Sequence, residues 1–249
     1  RQLTTLWLSK RISLAASLNR LREETANSPT GIQASAGLSY RYDTRSNAFS
    51  SFRGEGVSAK VVSAYTQTDS ADTFLFAQTS LSGLYLWQLG ATQAVAARLR
   101  GDLTFGTPPP QNGFRLGGRS LGGRGYEMGQ IRGRRRVVAT VEHRHALVSG
   151  MRTDVFGVFT LTRIEGAFFA DAIYLDQLDA FSPPSKTARC GNETFADAGY
   201  GIRFLVDLMN ISPAALTVDV GAPLTRCGLV QEESPIAVYI SFAQSLLSF

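Results

Sequence analysis

The chain of 249 residues is 44% hydrophobic, yet its mean hydropathy is −0.02, so apolar and polar residues are interleaved and no run approaches the ~18 apolar residues of a membrane-spanning helix. That excludes a helical membrane protein and leaves a soluble β-domain or a membrane β-barrel, whose signal per strand is much weaker. Twenty-five Lys and Arg against twenty Asp and Glu give a net charge of +5, which suits nucleic acid or an anionic membrane surface until the placement of the charges decides.

The chain opens RQLTTLWLSK without the charged start, apolar core and small-residue cleavage site of a secretory signal. It reads either as mature or as lacking its N-terminal part. From there on, alternation with period 2 recurs. Over 31–42, Ile32, Ala34, Ala36, Leu38 and Tyr40 share one face, and Gln33, Ser35, Gly37, Ser39 and Arg41 the other. Val57, Ala59, Val61 and Tyr65 oppose Ser58, Lys60 and Ala64; Val95, Ala97, Leu99 and Leu103 oppose Arg98, Arg100 and Asp102. Val137, Ala139 and Val141 oppose Thr140, Glu142 and Arg144. Tyr200, Ile202, Phe204 and Val206 oppose Gly199, Gly201 and Arg203, and Leu216, Val218 and Val220 oppose Thr217, Asp219 and Gly221. The segment 236–249 alternates imperfectly, with Phe242 and Phe249 on opposite parity, as a bulge would cause. About ten strands are expected, with 2–9 as the tail of an eleventh. The stretch 153–162 reads as turn or strand.

A soluble antiparallel sheet with one wet side also has one apolar and one polar face. The kind of residue on each face separates the two cases. Modest aliphatics and Tyr occupy the apolar side, while charge recurs opposite them at Arg98, Arg100, Asp102, Glu142, Arg144, Arg203 and Asp219. This predicts an all-β fold, an antiparallel transmembrane β-barrel that is apolar outside and polar inside, with ten to twelve strands in a single domain over 1–249. Connections alternate in length, short at 90–91, 149–150 and 210–214, long at 107–134, 176–195 and 225–235. The first long loop opens with GTPPP, whose prolines cannot donate to a ladder, and contains GGRSLGGRGYEMGQIRGRRR over 117–136. Glycine there gives backbone freedom and arginine a planar fork that seeks carboxylate. Loops of this length in compact folds are usually functional or disordered. Tracing the strands up and down puts Cys190 and Cys227 at this loop's end, suited to one disulfide in an oxidising compartment or to two buried thiols.

Landmarks then follow in order: Asp43-Thr44-Arg45 with Phe49 and Gly54; Phe114-Arg115-Leu116-Gly117-Gly118 leading to Arg124-Gly125-Tyr126; Glu142 and Arg144 in VEHRHAL; 168–171, closing on Asp171; GYGIRFLVDLMNISP over 199–213; and the final Phe249. In this order and spacing the chain resembles the outer-membrane assembly and translocation barrels that include BamA, TamA and the FhaC-like two-partner-secretion transporters, the bacterial surface antigen family. It departs at Gly123, where that family usually has Val, Ile or Leu. It departs also in length, since sixteen strands preceded by periplasmic POTRA modules exceed this chain. It therefore reads as the C-terminal part of a larger protein or as a reduced barrel.

The resemblance implies a bacterial outer-membrane barrel, in contact with lipid and lipopolysaccharide, that inserts or exports unfolded β-rich client proteins with its C-terminus on the periplasmic side. It implies a long loop folded back into the lumen, Gly117 and Gly118 leading in, Arg124 meeting Asp171, Glu142 and Arg144 nearby, and Phe249 as the aromatic read during insertion. Parity agrees for Glu142 and Arg144, which share the inward face. Such a pair fixes loop geometry more than it adds net stability, and a purely structural pin is the plain alternative. Two other classes remain: a passive porin, which needs the polar interior but not the Arg-Gly-Tyr loop, and a barrel anchor for a fused soluble domain. Nucleic acid is not an expected partner of the RGRRR run at 132–136, because aromatic interleaving is weak and a lipid-facing chain cannot also present a nucleic-acid groove. His143 and His145 lie on the apolar parity with no third ligand, which points to packing rather than a metal site. No nucleophile, base and orienter are legible together, so neither enzymatic activity nor a cofactor is expected.

Overall fold

The structure is a computed structural model that describes residues 9–21, 30–45, 52–118, 121–126, 132–155, 157–177, 194–208, 212–225 and 235–244. The sequence positions Cys190, Cys227 and Phe249, and with them the expected disulfide and terminal aromatic, lie outside the described residues.

The elements are β1 (Ser9–Leu21), β2 (Gly31–Asp43), β3 (Gly54–Thr68), β4 (Thr73–Gln88), β5 (Gln93–Gly106), a 3₁₀ turn (Pro110–Asn112), β6 (Phe114–Arg115), β7 (Arg132–Val155), β8 (Phe159–Gln177), β9 (Thr194–Leu208), β10 (Ser212–Pro223) and β11 (Ala237–Gln244). All strands join one antiparallel sheet in chain order, with β6 a short spur on β7. The all-β antiparallel expectation therefore holds. Among the described residues β1 and β11 are free edges, and no pairing joins them.

Register carries the period-2 pattern across the sheet. Leu14 pairs with Leu38 and Leu38 with Val61; Leu99 pairs with Ala139; Tyr200 pairs with Val220 and Val220 with Val238. Because side chains alternate strictly, a one-residue slip in any pair would invert a whole strand. The result is one apolar face, with Ile12, Leu14 and Ile240 at least 72% exposed. The opposite face, which carries the long loop and is called the inner face below, buries Asp102, Arg136, Glu142, Asp171, Asp197, Arg203 and Asp219. Apolar side chains outside and charges inside reverse the partition expected in water.

One turn expectation changes, and one open reading is decided. Ser149 and Gly150, read as a tight connection, lie inside β7, which runs on to Val155. The β7–β8 register slips between Ser149 and Thr153, and Gly150 adopts φ 73°, so the small Ser-Gly pair makes a bulge instead of a reversal. The reversal comes at Gly157 (φ 69°), which divides 153–162 between two strands. The Asp43-Thr44-Arg45 landmark closes the end of β2. Arg45 Nε and Nη2 donate to the two oxygens of Asp43 at 2.8 and 2.6 Å, while Thr44 N donates to Glu55 O on β3 at 2.9 Å.

Candidate functional site: a loop latched across the inner face

The glycine-rich segment folds first on itself. The N–H groups of Gly117 and Gly118 donate to the carbonyls of Gly122 and Gly123 at 2.9 and 3.2 Å, and Tyr126 N donates to Gly123 O at 3.1 Å. Gly123 has φ 86°, with Leu116 Cδ1 and Tyr126 Cδ2 3.0 and 3.2 Å from where its Cβ would stand. The left-handed backbone and the crowded site both refuse a β-branched residue. Leu116 and Tyr126 then enter a buried cluster with Val138, Ile173, Leu175 and Phe195, with Phe114 against it. Tyr126 meets Phe195 edge to face, with ring centroids 5.6 Å apart. Apolar burial thus seats the loop, and the charges fix its orientation.

Arg124, 2% exposed, is the centre of the charge network. Its Nε and Nη2 donate to the two oxygens of Asp171, both at 3.0 Å, a bidentate fork. Its Nη1 donates to Glu142 Oε1 at 2.7 Å. The guanidinium lies 3.5 Å from the centroid of the Phe169 ring, a cation–π contact strengthened by burial. Burial alone would weaken the charge on Arg124, but the bond to Asp171 and the charges of Glu142 and Asp171 outweigh it and hold the pKa above the ordinary arginine value. Glu142 is a hub: Arg203 Nη2 reaches Oε2 at 2.7 Å, and Arg144 Nε reaches the same oxygen at 2.9 Å.

Gly125 needs its missing side chain. A Cβ there would lie 2.6 Å from Asp197 Cβ and 2.7 Å from the Ala222 carbonyl carbon, and one on Gly221 would lie 2.7 Å from Arg124 O. The loop backbone therefore rests directly on β9 and β10. Tyr126 Oη lies 2.9 Å from Ala196 O and 2.7 Å from Thr225 O, so its single proton is shared between these two carbonyls, and Tyr239 Oη on β11 donates to Tyr126 O. Three consecutive residues, 124–126, thereby tie β7, β8, β9, β10 and the free edge β11.

A second network holds the base of the loop. Arg136 Nε and Nη2 donate to Asp102 Oδ2 at 2.9 and 2.7 Å, Arg136 Nη1 donates to Arg115 O on β6, and Arg100 Nε reaches Asp102 at 2.9 Å. The RGRRR run is thus the start of β7, with Arg136 buried inward and Arg135 exposed beside Asp176, not a continuous basic patch.

Of the residues expected from the sequence, Gly117, Gly118, Arg124, Gly125, Tyr126, Glu142 and Asp171 come together. Among the described residues Arg144 bonds Glu142 rather than the loop; it has the same sign as Arg124 and acts through Glu142. Phe169, Arg203, Asp197 and Tyr239 were not singled out as partners of the loop, although Arg203 shares the inward parity of Asp219. Asp197 is fully buried and stands directly across the β8–β9 register from Asp171. His143 and His145 stack with ring centroids 5.6 Å apart, and His145 Nε2 lies 3.1 Å from Tyr200 Oη, an aromatic cluster on the apolar side.

Fold and site define a single antiparallel sheet, apolar on its outer face and charged on its inner face, across which an internal loop is latched by a buried arginine. No protein-family model matches the chain, and no curated protein does.

Proposed function

We propose that this chain forms wall of a bacterial outer-membrane β-barrel that inserts or translocates β-rich client proteins, with the Arg124-Gly125-Tyr126 loop held inside the lumen. The observation that carries the reading is the fork of Arg124 on Asp171 and Glu142, the contact that the ordered landmarks of the sequence lead one to expect. Leu14 and Ile240, more than two-thirds exposed, are tolerable against lipid chains and costly against water. No helix among the described residues is long and apolar enough to cross a membrane, and antiparallel strands are compatible with crossing one. In this reading the latch holds β7–β11 in one arrangement while a seam between edge strands opens. An unpaired edge presents backbone donors and acceptors to a client strand, which is β-augmentation. POTRA modules upstream and a C-terminus on the periplasmic side belong to the same reading.

A passive pore is the second reading, favoured by the hydroxyl-lined inner wall at Ser58, Ser80 and Ser82. Removal of residues 107–134 separates the two. In lipid bilayers and in an outer-membrane insertion or secretion assay, the translocase reading expects client handling to be lost. Higher conductance with client handling unchanged would leave the pore reading standing instead.

A further inference from the structure

We propose that the inner face of β3, β4 and β5 carries a binding site for a small phosphate-class oxyanion. A cavity of about 380 Å³ lies there, bordered at the loop side by Phe114. Register builds its floor from two adjacent rows. Ser58 pairs with Ser82 and Ser82 with Arg100; Lys60 pairs with Ser80 and Ser80 with Asp102. Arg98 follows one step further along β5 on the same face. Three hydroxyls, an ammonium and two guanidiniums therefore converge from three strands.

The charges are unevenly matched. Asp102 lies with Arg100 and Arg136, so one carboxylate already serves two guanidiniums. No hydrogen bond or ion pair joins Lys60 or Arg98 to another described residue. Glu142, Asp171 and Asp102 act on Arg98 only through space. Gln78 is committed elsewhere, its Nε2 donating to Asn112 O at 2.7 Å, which ties the loop to the cavity's edge. Ser58 and Ser82 share one hydrogen bond at 2.8 Å, so what remains is a set of donors at several angles with two cations that no described residue contacts directly. That suits a tetrahedral oxyanion, which accepts around its whole surface, better than a planar carboxylate, which accepts within one fork. The apolar face lies on the other side of the sheet, so the ligand is a water-borne phosphate or phosphate monoester and not a lipid headgroup. The site requires only that water reaches the inner face, and it stands whether or not clients pass.

The test titrates the purified full chain in uncharged detergent with inorganic phosphate at constant ionic strength, by calorimetry and by ³¹P line broadening, with chloride and acetate as comparators. Saturable binding of phosphate, at least tenfold tighter than of acetate, is expected. Lys60→Gln removes an exposed, unpaired cation without disturbing a contact and should weaken binding roughly tenfold, the loss of one charge-assisted contact. Ser80→Asp should abolish it, and Lys10→Gln on β1 should leave it unchanged. Phosphate that binds no better than chloride or acetate, or as well to the Lys60→Gln and Ser80→Asp proteins as to the parent, overturns the assignment.

Discussion

Replacing Arg124 by alanine tests the latch most directly. The change removes two hydrogen bonds to Asp171 and one to Glu142, but the two acids are left in different situations. Glu142 keeps Arg144 and Arg203, whereas Asp171, buried beside Asp197, loses the fork on both oxygens and retains the long contact of the residue-124 backbone N–H at 3.4 Å. An uncompensated buried charge costs about 3–5 kcal/mol, so R124A should lower the unfolding free energy by that amount, nearly all through Asp171. D171N alone should cost about 3 kcal/mol, because it leaves the guanidinium half satisfied. The double variant R124A/D171N removes both charges, and its cost should fall short of the summed single costs by 2 kcal/mol or more, as order of magnitude. Urea unfolding in lipid vesicles, followed by tryptophan fluorescence, measures all three. R124K, which keeps the charge and loses the planar fork, should recover less than half of the loss. Costs that add to within about 0.5 kcal/mol in the double variant would refute the idea that Arg124 and Asp171 act as one unit.

Gly123→Val forces a β-branched residue into φ 86° against Leu116 and Tyr126; it should destabilise the loop by roughly 1–2 kcal/mol, seen as faster proteolysis within 107–134. Gly125→Ala places a methyl group 2.6 Å from Asp197 Cβ, and the same protease assay should show the loop unseated as fully as in R124A. Asp102→Asn leaves Arg100 and Arg136 without their carboxylate and should cost about 3 kcal/mol in urea unfolding. Leu99→Arg, on the outer face of β5, should cost roughly 2–4 kcal/mol in lipid vesicles if that face meets the bilayer core; an unchanged unfolding midpoint would count against lipid contact there.

The inner and outer faces were legible from period alone, because strand geometry leaves each side chain only two directions. Val137, Val141, Glu142 and Arg203 stand where parity puts them. The Ser149-Gly150 pair was misread, because small residues serve a bulge and a reversal equally well and only pairing with β8 distinguishes them. Glycine at 123 is needed for its positive φ and its crowded Cβ position, which no local pattern in the sequence displays.

By itself the sequence determined an antiparallel all-β chain with one apolar and one charged face, and it marked the loop by its glycines and arginines. Which acid each arginine meets was decided only by tertiary structure. Glu142 and Arg203 are far apart in the chain and meet because β7, β8 and β9 stand side by side in register; Asp171 faces Arg124 because apolar burial of Leu116 and Tyr126 brings the loop down onto that row. Long-range pairing of this kind depends on strand order and stagger summed over several strands, and no local pattern carries that sum.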